Sequence, residues 1–127
     1  MKTKFIITIL TTIVAISGLT GFAGDVPADA TIKQKLLGYW RNPHHEYLYK
    51  SDGIRYMVGG TPKNTWDVRG GVYFEDSTPY DIVSFSPSTF VLRTRDAAKT
   101  IFKLERCSDK DIAQLKKYYS DWMREHE

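Results

Sequence analysis

The sequence predicts an all-β fold: a small antiparallel up-and-down β-barrel of about eight strands, preceded by a short helical turn and closed by a C-terminal amphipathic α-helix. Three observations predict it. Turn residues recur at short intervals, at Asn42-Pro43, Ser51-Asp52-Gly53, Gly59-Gly60-Thr61-Pro62, Gly70-Gly71, Asp76-Ser77-Thr78-Pro79 and Ser86-Pro87-Ser88. Between them lie runs of four to eight residues rich in Tyr, Val, Ile, Phe, Trp and Thr, the composition of half-buried strands. After Cys107 the apolar spacing lengthens from two residues to the helical period.

The chain opens with Lys2 and Lys4, an apolar run of about 15 residues from Phe5 to Leu19, and Gly21-Phe22-Ala23. Residues 1–23 therefore read as a secretory signal peptide, cleaved after Ala23, with Ala28-Asp29-Ala30 a second small-x-small site. The run is shorter than the ~20 residues a spanning helix needs, so stable membrane insertion is not expected. No Cys lies beside either site to carry a lipid anchor. Cleavage leaves residues 24–127, one domain of 104 residues, with 16 basic and 15 acidic side chains once Lys2 and Lys4 are gone. That near-neutral, mixed-sign balance excludes a nucleic-acid partner. With Cys107 the single cysteine, no intramolecular disulfide can form, and the fold rests on its core.

Taken in order, Thr31 is placed to cap a helical turn over 32–37, which Gly38 ends. Strands are expected at 38–42, 45–50, 53–58, 64–69, 72–75, 80–85, 89–95 and 99–106. Asp52-Gly53 and Gly70-Gly71 suit tight hairpins, so neighbouring strands run antiparallel. Alternation assigns Trp40, Tyr47, Tyr49, Ile54, Tyr56, Val58, Trp66, Val68, Val72, Phe74, Ile82, Phe90, Leu92, Phe102 and Leu104 to the interior, leaving Arg55 and Met57 outside. Ser108-Asp109-Lys110-Asp111 starts a helix over 108–125, with acids at the positive end of its dipole. Its stripe of Ile112, Leu115, Tyr119, Trp122 and Met123 predicts packing on the outer wall of the barrel.

The stretch Leu36-Leu37-Gly38-Tyr39-Trp40-Arg41, with its helical turn in front, resembles the Gly-x-Trp opening of the lipocalin-like (calycin) barrels, specifically the small bacterial secreted ones. The resemblance extends over residues 32 to about 123. It implies that Gly38 and Trp40 sit at the closed floor, that a basic side chain near the end of the last strand covers the indole, and that a helix lies beside the barrel wall. Lys103 and Arg106 are the candidates for the cover. Arg106 shares a face with Phe102 and Leu104, whereas Lys103 points with Ile101 and Glu105 to the other, so Arg106 is expected on Trp40. The chain is shorter than full-length lipocalins and has no long lid loop.

The resemblance also implies a small hydrophobic ligand, and the aromatic set Tyr47, Tyr49, Tyr56, Trp66, Phe74 and Tyr80 is the candidate lining. The alternative is a packed interior and a protein partner, such as a secreted hydrolase inhibited through the loops at Asn42-Pro43-His44, Gly60-Thr61-Pro62 and Thr78-Pro79. Neither metal nor cofactor is expected: His44 and His45 are adjacent and would point to opposite faces of a strand. No catalytic signature is present either. Glu75-Asp76 and Asp81 flank a turn, Asp109 and Asp111 cap a helix, and no serine lies in a Gly-x-Ser-x-Gly elbow.

Overall fold

A computed structural model of the chain describes residues 27–127, so the signal peptide expected over residues 1–23 lies outside the described part. Helix α1 (Asp29–Leu36) leads into β1 (Gly38–Arg41), β2 (Glu46–Tyr49), β3 (Ile54–Met57), β4 (Lys63–Arg69), β5 (Val72–Glu75), β6 (Thr78–Phe85), β7 (Thr89–Thr94) and β8 (Ile101–Arg106), and α2 (Asp109–His126) follows. Each strand pairs antiparallel with the next, and β8 returns to β1 through Trp40 opposite Arg106 and Arg41 opposite Glu105. The result is a closed eight-stranded up-and-down barrel with a C-terminal helix, the architecture the sequence predicts.

Helix α1 is the floor plug. Its Ile32 and Leu36 are fully buried under the barrel. Thr31 does not cap it: the helix starts from Ala28, which has no side chain able to cap, and Thr31 falls within the first turn. The Asp29 carboxylate instead accepts from the Gly70 and Gly71 N–H groups at 2.6 and 2.9 Å, fastening α1 to the β4–β5 hairpin. Both glycines have positive φ, as a two-residue hairpin of matching twist demands.

Two apolar clusters flank the sheet. The inner one contains Trp40, Tyr49, Tyr73, Val68, Phe90 and Leu104 with the buried face of α1. The outer one joins Tyr39, Leu48, Val58 and Cys107 to Leu115 and Met123 of α2. Ser108 and Asp111 form a reciprocal capping box at the start of α2. The helix leaves ideal geometry at Tyr119, whose ring lies against Gly59; a Cβ at Gly59 would come within 2.4 Å of it. Trp122 Nε1 donates to the Gly60 carbonyl at 3.0 Å, so the β3–β4 loop is held to α2.

The structure corrects the expected facing of two strands. On β3, Arg55 and Met57 point inward, paired with Tyr49 and Tyr47, while Ile54 and Tyr56 face out and Val58 lies under α2. On β5, Tyr73 and Glu75 point inward, opposite Val68 and Trp66, and Val72 and Phe74 face out. A period of two says that residues alternate but not which set is inside. On β3 the apolar set faces outward because α2 gives that strand a second apolar environment on its outer wall.

Candidate functional site at the barrel mouth

Trp40 and Arg106 close the floor at the meeting of β1 and β8. Gly38 takes a φ of +115°, and a Cβ there would stand 3.0 Å from Arg106 Nη1. That space lets the Arg106 guanidinium lie 4.4 Å from the centre of the Trp40 ring and donate to the carbonyls of Leu37, Lys35 and Pro87. Trp40 Nε1 donates to the Leu36 carbonyl at 2.8 Å. Lys103 points away, in an exposed ion pair with Glu105 at 3.6 Å.

The opposite end is open. A pocket of about 180 Å³ lies there, lined by Asn42, Tyr47, Tyr49, Arg55, Glu75, Tyr80, Leu92, Phe102 and Leu104. Strands β2, β3, β5, β6, β7 and β8 each contribute an inward side chain to it, so alternation around the closed barrel brings residues far apart in sequence to one rim.

A polar chain crosses the pocket wall. Arg55 Nη1 meets Glu75 Oε1 at 3.0 Å, Tyr73 donates to the same oxygen at 3.0 Å, and the Tyr49 and Tyr73 hydroxyls lie 3.0 Å apart. Arg55 Nη2 donates to Asn64 Oδ1 at 2.7 Å, and the guanidinium lies 4.2 Å from the Tyr47 ring centre. The buried Arg55 Nε has no partner among the described residues. Burial pushes the Tyr49 hydroxyl up to about 12 and raises that of Tyr73 as well, so both remain protonated donors at neutral pH. The mouth thus combines apolar rings with a neutralised charge pair and hydroxyls, a lining that can orient a small amphipathic molecule.

Of the residues expected to line a site, Tyr47, Tyr49 and Tyr80 do so. Trp66 lies deeper, edge-on to Tyr49 with ring centres 5.3 Å apart, and its outer edge borders a separate cleft beside α1 that the Lys33–Asp67 ion pair flanks. Tyr56 and Phe74 are not in the barrel. Tyr56 faces out, with its hydroxyl on Asp52 and its ring against His126. Phe74 lies under the Arg69 guanidinium, 4.1 Å from its ring centre. Both follow from the facing of β3 and β5 described above. Sequence reading missed Arg55 and Glu75; the signal was an arginine and a glutamate each alternating with an aromatic residue.

The remaining candidates do not converge. His44 and His45 sit in the β1–β2 turn, where both backbone N–H groups donate to Asn42 Oδ1. Among the described residues no three His, Cys, Asp or Glu side chains are grouped to hold a metal ion, and no helix is long and apolar enough to cross a membrane.

Compared with known proteins, the sequence matches no protein-family model and no curated protein. Among solved structures the chain is similar to a bovine odorant binding protein, a deswapped triple mutant, at 18% identity and a TM-score of 0.30 over 68% of this chain and 86% of that one. The barrel assignment rests on the strand pairing itself.

Proposed function

We propose that the protein is an exported binding protein, without catalytic activity, whose barrel mouth takes one small hydrophobic molecule bearing a hydrogen-bonding end. The observation that supports this reading is the mouth pocket, where Tyr47, Tyr80, Leu92 and Phe102 surround the Arg55–Glu75 pair. Its volume of about 180 Å³ is below the roughly 300–1,000 Å³ of drug-sized ligand sites, which favours a single ring or a short chain over a long acyl tail. Export rests on residues 1–23, and fractionation should find a species beginning at Gly24 or Thr31 outside the cytoplasm.

Titration with phenol and hexan-1-ol, followed by tryptophan fluorescence and native mass spectrometry, tests the reading. Both are expected to bind better than palmitate, and Leu92→Trp, which fills the mouth, should abolish their binding. A barrel unresponsive to every compound, at concentrations where the Leu92→Trp variant also gives no change, would sink it.

A further inference from the structure

The three tryptophans differ in what their indole N–H groups meet. Trp40 Nε1 donates to the Leu36 carbonyl at 2.8 Å, and Trp122 Nε1 donates to the Gly60 carbonyl at 3.0 Å. Trp66 is only 8% exposed, yet its buried Nε1 has no acceptor among the described residues. A buried indole N–H ordinarily finds a partner, because leaving it unpaired costs the full desolvation of the donor. Trp66 is the exception.

Its ring borders the cleft beside α1 and does not line the mouth pocket. This cleft, of about 490 Å³, lies between the C-terminal end of α1, residues 51–53 of the β2–β3 turn, and Trp66 with Asp67 on β4. Its walls are tied to one another. Lys33 Nζ meets Asp67 Oδ1 at 3.0 Å, and the Trp66 backbone N–H donates to the Gly53 carbonyl at 3.0 Å. The shape is therefore held by the fold before anything enters it. The charges at the rim are matched within the protein. Besides Lys33, Asp67 has the Val68 N–H at 2.8 Å and Arg69 Nε at 3.2 Å, while Asp52 accepts from the Ile54 N–H and the Tyr56 hydroxyl, both at 2.9 Å. Nothing in the cleft calls for an ionic occupant, and the group left over is a neutral donor with Leu37 as its apolar neighbour.

We propose that this cleft is a second binding site, for a neutral planar molecule of about two fused rings that carries a carbonyl oxygen or a ring nitrogen as acceptor. The ring body packs against Leu37 and the Trp66 indole. The acceptor takes the Trp66 N–H, which a small turn about the broad χ2 torsion presents to the cleft. A molecule lacking an acceptor leaves that donor unpaired, so the cleft selects by acceptor as well as by shape. The site is separate from the mouth in both residues and preference: it is the larger of the two, and none of its lining residues is shared.

The test uses the full chain, isotope-labelled at its tryptophan side chains, titrated at neutral pH with quinoline and with naphthalene, which has the same shape and no acceptor. The titration is repeated on Leu92→Trp, in which the mouth is filled. Quinoline should bind about tenfold more tightly than naphthalene in both proteins, shift the Trp66 indole N–H resonance and slow its exchange, and leave those of Trp40 and Trp122 in place. Trp66→Phe keeps an apolar ring and drops the N–H, so it should bring quinoline down to the affinity of naphthalene. Gln34→Trp, built from an exposed position on α1, plugs the cleft and should abolish binding of both; it is the variant read should Trp66→Phe fail to fold. No binding of quinoline, or equal affinity for quinoline and naphthalene in the parent protein, overturns the proposal. Binding that survives Gln34→Trp but is lost in Leu92→Trp overturns it as well, and leaves the mouth reading intact.

Discussion

Two arginines at opposite ends of the barrel each stack on an aromatic ring, and they differ in what holds the rest of the guanidinium. Arg106 covers Trp40 and donates to three backbone carbonyls, from Lys35, Leu37 and Pro87, which the fold keeps in place. Arg55 covers Tyr47 but is held by side chains, Glu75 and Asn64, and its Nε is left over. An arginine tied to backbone is a structural rivet, whereas one tied to side chains beside an open pocket can be re-paired by a ligand. The floor and the mouth divide stability from recognition along that line.

The largest effect is expected from unbalancing the mouth pair. Glu75→Leu alone strands a charge whose side chain is only 15% exposed and should cost about 3 kcal/mol, while the double variant Arg55→Met with Glu75→Leu should return close to the parent stability. Denaturant melts of the three proteins read this, and a double variant as unstable as the single one would make Arg55 structural in the same sense as Arg106.

Next comes the floor. Arg106→Ala should destabilise by about 2 kcal/mol, Arg106→Lys should recover only part of the loss, and Lys103→Ala should change stability by no more than about 0.5 kcal/mol. Unlike the mouth pair, no second substitution should rescue Arg106→Ala, because its partners are main-chain carbonyls. A larger loss from Lys103→Ala than from Arg106→Ala would contradict the register that sets Arg106 opposite Trp40.

The smallest effect sharpens the contrast within the mouth itself. One side of the rim is braced by α2 through Gly59 and Gly60, and the other, at Phe102, is not. Gly59→Ala puts a side chain at a φ of +77° against the Tyr119 ring and should cost about 1 kcal/mol, whereas Phe102→Ser should stay within about 0.5 kcal/mol. Thermal melts of the pair, with helix signal followed separately for Gly59→Ala, measure whether α2 braces only its own side.

The number of strands, their antiparallel order and the C-terminal helix were legible because glycine, proline and Asp/Ser turns punctuate the chain at strand length. The floor was legible for a second reason: Arg106 follows Phe102 and Leu104 at the strand period, so its side of the sheet could be inferred locally. The mouth was not, because Arg55 is acceptable inside only with Glu75, two strands away, and no local pattern reports that partnership. Tyr56 and Phe74 misled for a related reason. Each rests on the outer wall against a companion, His126 in one case and Arg69 in the other, that leaves it half-buried without a place in the interior.

Closure through Trp40 and Arg106 also sets the order in which the chain can become a barrel. Every other strand pair joins consecutive segments through short turns and can form early, whereas this one joins the first strand to the last and carries the entropy of a loop spanning the whole sheet. Until β8 has been made and released there is only a curled sheet with two open edges and a bare Trp40 face. The chain therefore stays adhesive for longest just before completion, and the brevity of the β1–β8 seam limits how much pairing must then be found at once.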